Sequence, residues 1–512
     1  MFVKTFTAAI SGIDAKQVTV ETNVESGLRF TIVGLPDTAV RESYDRIMTA
    51  FSSSKFTIGG RNIVVNLSPA DLKKEGTVYD LPIAISLLAG AELLRSDILD
   101  QFIILGELSL DGFLRPVKGV LPSALMAKEK GFRGIIVPKG NGHEAAVVEG
   151  LEVYEADTLT SVKRFLEGEN SLQRIVIDTA KDFEKVRLNP TNDFSDIKGQ
   201  ENVRRAMEVA AAGGHNILLI GPPGSGKSMM AKRVAGILPP LTIDEALEST
   251  KIYSVAGKLN LDTTLLTERP FRSPHHSISM PALVGGGTSP RPGEISLSHN
   301  GVLFLDELPE FKKSVLELLR QPMEDRCITV ARAKGAADYP ASFMLIAAMN
   351  PCPCGYYNHP TRPCTCPPGS AKKYFSRVSL PLLDRIDIQV EIAPVPFDKL
   401  SDKAPSESSA SIRERVVNAR KKQTERFRDI KDIHCNAQMT PKLTAQYARP
   451  DSEGLKKLRA AMDRFGLSAR AYDRILKVAR TIADLDNSEC VESRHIAEAI
   501  TYRSLDRENW GK

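Results

Sequence analysis

Apolar positions recur along this chain with more than one spacing, and the changes of spacing divide it. Up to about residue 170, short β-type runs (17–22, 29–33, 62–67, 102–105 and 134–137) alternate with stretches of helical spacing (40–52, 81–94 and 121–130). That alternation predicts an α/β or α+β domain, residues 1–170, with its own core. Residues 171–192 are mixed and polar, end in Asn189-Pro190, and read as a linker. Between 193 and 397 the apolar runs are short and unbroken, as buried strands are: 216–220, 301–305 and 343–349. Residues 398–410 are rich in Ser, Pro and charge and read as a second linker. From 411 onward the spacing is helical, over 411–428, 453–465, 468–485 and 493–503, with Ser493 the expected N-cap of the last helix. No internal repeat interrupts this order.

Each apolar run of the middle segment delivers a chemical motif. The first leads into Gly221, Pro222, Pro223, Gly224, Ser225, Gly226, Lys227 and Ser228, which match the phosphate loop G-x-x-x-x-G-K-[ST]. Its glycines let successive N–H groups turn inward around an anion, and the helix that follows presents its positive end to the same charge. Lys227 is expected to reach the β- and γ-phosphates of ATP, and Ser228 to ligate Mg2+. The second run ends in Asp306-Glu307. Asp306 would complete the Mg2+ shell, and Glu307 would polarise the attacking water. The third ends in Asn350, an amide placed to orient that water. Strand, Asp-Glu, strand, Asn is the order of a P-loop ATPase of the AAA+ type.

At 512 residues several domains are expected, and the 42% hydrophobic and 26% charged fractions are those of a globular protein. The longest apolar stretch, 81–94, is interrupted by Glu92 and is too short to span a bilayer. Residues 1–13 lack a charged segment followed by an apolar one, so no secretory signal and a cytoplasmic location are expected. The net charge of +5 is unevenly spread: 18 Lys+Arg against 22 Asp+Glu over 1–170, but 22 against 15 over 409–512. The basic C-terminal segment fits a polyanion partner and equally a helical segment with an Arg-rich solvated face.

Cys352, Cys354, Cys364 and Cys366 form C-x-C-x9-C-x-C, with Cys327, Cys435 and Cys490 elsewhere. In an intracellular chain that cluster points to a metal site before disulfides. Four thiolates suit a structural Zn2+, with His359 able to replace one of them. Four free thiols are the alternative.

The chain resembles the Mg-chelatase-like AAA+ ATPases, and within them the bacterial ComM/YifB family. The likeness spans essentially all 512 residues. It rests on Arg269-Pro-Phe-Arg-Ser-Pro-His-His276, Gly285-Gly-Gly287 with Pro292-Gly-Glu-Ile-Ser-Leu297, Leu303-Phe-Leu-Asp-Glu-Leu-Pro-Glu-Phe311, Asn350-Pro-Cys-Pro-Cys-Gly355 and Leu382-Leu-Asp-Arg-Ile-Asp387. The resemblance implies an α/β multidomain fold: a Lon-like α+β domain, a P-loop AAA+ domain at 193–397 and a C-terminal helical lid at 411–512. It implies that Arg385 is an arginine finger reaching a neighbour's γ-phosphate, with Arg377 a second candidate, and that Arg470 is the lid arginine called sensor 2. A site completed by a second subunit implies a ring, most often a hexamer. Against the Lon proteolytic domain, Val78 stands where the nucleophilic serine would be and Leu121 near the lysine position. Neither side chain can do that chemistry, so an inactive scaffold or a docking module for a protein partner is expected.

The implied work is that of a helicase or translocase on single-stranded or branched DNA. Two segments suit a grip on phosphates: one with Arg269, Arg272, His275, His276 and Arg291, and a strand-turn-strand pattern over 327–342 tipped by Arg332 and Lys334. A protein-remodelling factor and a metal-chelatase-type ATPase subunit are the alternatives.

Overall fold

The computed structural model describes residues 1–178, 183, 193–260, 263–287, 290–332, 335–395 and 406–503. Most of both expected linkers, Lys334 and the side chain of Arg332 lie outside the described residues.

The N-terminal domain is one eight-stranded sheet, in the order Gln173–Ile175, Glu152–Ala156, Gly134–Pro138, Phe102–Ile104, Phe2–Ser11, Asp14–Ser26, Arg61–Ser68 and Phe30–Val33. The strand Phe2–Ser11 has no counterpart in the apolar pattern, because its inward positions include Thr5 and Thr7, both fully buried. Thr5 is accommodated by donating its hydroxyl to the Pro82 carbonyl at 3.1 Å. The helix Asp80–Gly90 lies buried along its whole length against that strand and Asp14–Ser26. It ends short of the expected residue 94, before Glu92 turns to φ 63°. The sheet also runs beyond residue 170, since Gln173–Ile175 pairs antiparallel with Glu152–Ala156.

The ATPase domain is built on a five-stranded parallel sheet, ordered Phe271–Arg272, Val302–Leu305, Met344–Met349, Ile217–Ile220 and Ile388–Glu391. Val302–Leu305, Met344–Met349 and Ile217–Ile220 are apolar and buried at every position, which is why they read as unbroken runs. Side by side and parallel, they bring Asp306, Asn350 and Gly221 to the same sheet edge. Carboxyl ends of such strands are where α/β sheets bind ligands. The hairpin Cys327–Arg332/Gly335–Pro340 pairs as its own two-stranded sheet, with Ile328, Val330 and Tyr339 packed into the ATPase core.

The lid comprises the helices Ser409–Arg426, Pro441–Tyr447, Ser452–Phe465, Ala469–Leu485 and Ser493–Thr501. Ser409–Arg426 starts inside the expected linker because Ser408 caps it, its hydroxyl accepting from Ser411 N. Ser493 is the first residue of the last helix and not its cap: Glu492 caps it, in a reciprocal pair with His495. Ser409–Arg426 and Ala469–Leu485 share a core with the ATPase helix Glu201–Gly213, so lid and ATPase domain are one packed body.

The N-terminal domain has its own core and a second apolar cluster held jointly with Leu241, Ala246 and Leu265 of the ATPase domain. Polar contacts fasten that seam. Glu144 accepts from Leu121 N at 2.9 Å and from the Ser254 hydroxyl, Gly119 N donates to Ser254 O at 3.3 Å, and Lys251 pairs with Asp14 at 3.2 Å. Leu121 belongs to this joint cluster, and Val78, partly buried, packs against both it and the domain's own core.

Candidate nucleotide site

The phosphate loop sits between strand Ile217–Ile220 and helix Lys227–Ile237. Gly224 and Gly226 hold φ of 76° and 85°, and a Cβ on Gly224 would meet nothing within 4 Å. The Lys227 ammonium lies inside the loop, donating to Gly221 O at 2.8 Å, Pro222 O at 2.9 Å and Asn350 Oδ1 at 3.1 Å. Burial pulls its pKa below the usual lysine value, opposed by Asp306 and Glu307. Ser228 Oγ donates to Asp306 Oδ2 at 2.5 Å. The Ser225 hydroxyl is buried without a hydrogen-bond partner among the described residues.

These observations fit a nucleotide triphosphate with Mg2+. A buried cation bonded to carbonyls, an orphaned hydroxyl and an open left-handed glycine are what a phosphate cradle offers an anion. Ser228 and Asp306, already in contact, form an oxygen pair suited to a hard divalent ion.

Glu307 follows directly in a left-handed conformation, φ 52°, its N–H donating to Asp306 Oδ1 at 3.0 Å. A non-glycine residue there is uncommon, and such backbone concentrates at working sites. Its side chain is 56% exposed and lies 3.4 Å from His276 Nδ1, whose ring stacks on His275 at 4.0 Å. His276 as a neighbour of Glu307 was not legible from sequence, although the His-His pair sits among the family-specific residues.

Arg385 is only 7% exposed. It donates to Pro381 O at 2.8 Å and pairs with Glu324 at 2.7 Å. Within one subunit, the expected finger is therefore tethered by Glu324. Arg377 pairs with Glu310 at 3.0 Å and lies over the Tyr374 ring. Arg470 is exposed in the first turn of Ala469–Leu485. One turn on, Arg474 binds Asp387 and donates to Arg385 O at 3.1 Å, a lid anchor that sequence reasoning missed.

Asp387 is 3% exposed. Burial would raise its pKa, but Arg474 and His215 hold it well below the carboxylate range. A depressed carboxylate contributes stability above its unfolded pKa, near 4, and loses it as pH falls further. Arg474→Ala is expected to cost about 3 kcal/mol at pH 7, since it leaves a buried charge without its main partner. Urea unfolding at pH 7 and pH 3 checks this: the difference between variant and wild type should shrink at the lower pH.

Arg269 and Arg272 do not sit free for a nucleic acid. Arg269 pairs with Glu245 at 2.9 Å and donates to Pro239 O and Asn300 O, and Arg272 is bidentate to Glu294 at 2.6 and 2.7 Å. Both brace the ATPase core, whereas Arg291 of the same segment is exposed. The four cysteines do converge, their Sγ atoms lying within 4.8 Å of one another. His359 is not among them; its Nδ1 accepts from Thr361 N and Arg362 N.

Comparison with known proteins decides the affiliation. The family model "Magnesium chelatase, subunit ChlI" matches residues 193–400, its C-terminal counterpart 406–503, and "Subunit ChlI of Mg-chelatase" 20–141. The chain is 45% identical over 504 residues to the protein YifB of Escherichia coli, covering 98% of this chain and 97% of that one. It is 44% identical over 508 residues to "Competence protein ComM" of Haemophilus influenzae, with the same coverages. The chain belongs to the ComM/YifB family. "Lon protease 2" of Bacillus subtilis is 30% identical over 157 residues, 28% of this chain and 26% of that protein. This ComM/YifB member thus has the Mg-chelatase-like AAA+ architecture, and among the described residues no helix is long and apolar enough to cross a membrane.

Proposed function

We propose that this protein is an ATP-hydrolysing motor that assembles as a ring, a homo-hexamer, and acts on single-stranded or branched DNA as a helicase or translocase. The observation carrying the ATPase part is the meeting of Lys227, Ser228, Asp306, Glu307 and Asn350 at one sheet edge. Lys227 binds phosphate oxygens, Ser228 and Asp306 hold Mg2+, Glu307 polarises the attacking water, and Asn350 orients it while positioning Lys227. Mg2+, when bound, offsets phosphate charge. Arg385 and Arg470 serve the site at a subunit boundary and from the lid. In this reading the N-terminal domain is a docking module, the four cysteines hold a structural Zn2+, and the protein works in the cytoplasm where ATP is found.

Arg385→Ala is expected to bind ATP normally and hydrolyse it at least about tenfold more slowly. Mixing it with Glu307→Gln subunits should restore part of the rate, because each site borrows its arginine from the next. Steady-state ATPase of the mixtures checks this; no recovery would place the arginine within its own chain.

The DNA part is supported by a relative named a competence protein, by the excess of Lys and Arg over 409–512, and by the hairpin whose tip sequence carries Arg332 and Lys334. The deciding experiment is ATPase rate with and without single-stranded and branched DNA. Affinity should fall steeply between about 50 and 200 mM salt, and the double change Arg332→Ala/Lys334→Ala should flatten the log–log slope by about 1 to 2. Stimulation by unfolded protein and none by DNA would favour remodelling instead.

A further inference from the structure

The loop that carries the four cysteines is also a wall of the nucleotide site. Strand Met344–Met349 ends in Asn350, whose side chain receives the Lys227 ammonium. Cys352 comes two residues later and is fully buried. Gly355 N turns back to Cys352 O at 3.0 Å, and Gly355 adopts φ 84°. That turn lays Gly355 against the phosphate loop: a Cβ there would fall 2.7 Å from Pro223 Cγ. The loop thus touches the cradle twice, through Asn350 on Lys227 and through Gly355 on Pro223.

Little apolar packing holds this loop: Tyr357 leans on the ATPase core, and Tyr356 meets His359 and Arg362 within the loop. Between 351 and 369 the buried positions are Pro351, Cys352 and Gly355, and the rest are exposed or half-buried without helix or strand. The four thiols lie where a fastener would be. Cys352 and Cys354 sulfurs are 3.3 Å apart, Cys354 and Cys364 3.5 Å, and Cys352 and Cys364 3.7 Å. A tetrahedral ion with metal–sulfur bonds of about 2.3 Å requires sulfurs about 3.8 Å apart, whereas a disulfide requires about 2 Å. Two N–H groups already point at sulfur, Tyr357 N at Cys352 Sγ and Cys354 N at Cys366 Sγ, both at 3.3 Å. Outer hydrogen bonds of that kind orient metal-bound ligands.

We infer that the tetrathiolate site holds a single Zn2+ whose function is to set the phosphate loop, so that metal occupancy controls nucleotide affinity. This rests on the structural-zinc reading given above and extends it to regulation of the ATP site. With Zn2+ bound, the 351–369 segment is cross-linked and Gly355 is pressed on Pro223. Without it, the segment loses its cross-links, Pro223 loses its backing, and Asn350 loses the frame that aims it at Lys227. Metal binding at such a site is folding free energy for the loop that bears it.

The test uses the full-length protein. Zinc per chain is measured by elemental analysis, and affinity for a fluorescent ATP analogue by anisotropy, for wild type, chelator-treated wild type, Cys364→Ser/Cys366→Ser and Gly355→Ala. The inference expects one zinc per wild-type chain. It expects affinity to weaken by roughly tenfold, the scale of one coupling between sites, after chelation or in the double variant. Added Zn2+ should restore the chelated protein. Gly355→Ala separates the two parts: it should keep its zinc yet bind nucleotide more weakly, because its Cβ displaces Pro223. Circular dichroism of each variant reports whether the fold persists. Absence of zinc in the wild type overturns both the structural-zinc reading and this inference. One zinc per chain with affinity unchanged on its removal overturns the inference alone. Absence of nucleotide binding in zinc-replete wild type would instead sink the ATPase reading.

Discussion

Lys227→Ala abolishes nucleotide binding: an affinity loss of at least about 100-fold is expected in equilibrium titration with a fluorescent ATP analogue. The ammonium is the group at the centre of the cradle, 2.8 to 3.1 Å from two loop carbonyls and the Asn350 amide. Charge-assisted hydrogen bonds to phosphate are worth about 1.5–3 kcal/mol each, and losing two of them accounts for that factor. The truncation also leaves Gly221 O, Pro222 O and Asn350 Oδ1 without their donor, so the empty loop itself is expected to lose definition. Equal affinity in variant and wild type would remove the phosphate-loop assignment.

Glu307→Gln has the second large effect, and of a different kind. Nucleotide affinity should stay within about threefold of wild type, because Glu307 is not part of the cradle and Ser228 and Asp306 keep their contact. Turnover should fall by about 10²–10⁴-fold, the usual contribution of a positioned general base. The amide keeps the size of the carboxylate and removes its capacity to draw a proton from water. Pre-steady-state binding followed by steady-state phosphate release separates the two steps. A variant that binds weakly and turns over at the wild-type rate would assign Glu307 to binding.

The phosphate loop, the Asp306-Glu307 pair and Asn350 were legible because each lies at the end of an unbroken apolar run. A fully buried parallel strand can produce such a run, and the chemistry follows it by one residue. The Asn350–Lys227 contact follows from that arrangement. The tether between Arg385 and Glu324, the His276–Glu307 contact and the Gly355–Pro223 contact were not legible, since each joins residues separated by more than 30 positions through tertiary packing. The lid anchor Arg474 resembles any other arginine on an amphipathic helix until Asp387 is seen buried opposite it. In the N-terminal domain, Phe2–Ser11 escaped notice because threonines take inward positions where the periodicity argument looks for aliphatic side chains. The internal partners of Arg269 and Arg272 were not legible either, because net charge along a segment says nothing of the Glu245 and Glu294 carboxylates that packing brings to them.

The seam between the N-terminal and ATPase domains limits what its residues can become. Leu121 is a buried member of the cluster completed by Leu241 and Ala246 of the neighbouring domain, and Val78 packs against that cluster. Leu121 is fully buried, and its N–H is taken by Glu144, which also accepts the Ser254 hydroxyl. A lysine placed at 121 would have to bury an ammonium in that aliphatic seam, at a cost of several kcal/mol. Such a change would loosen the contact between the two domains. The identity of residue 121 is thus tied to the neighbouring domain, and the two surfaces can change only together.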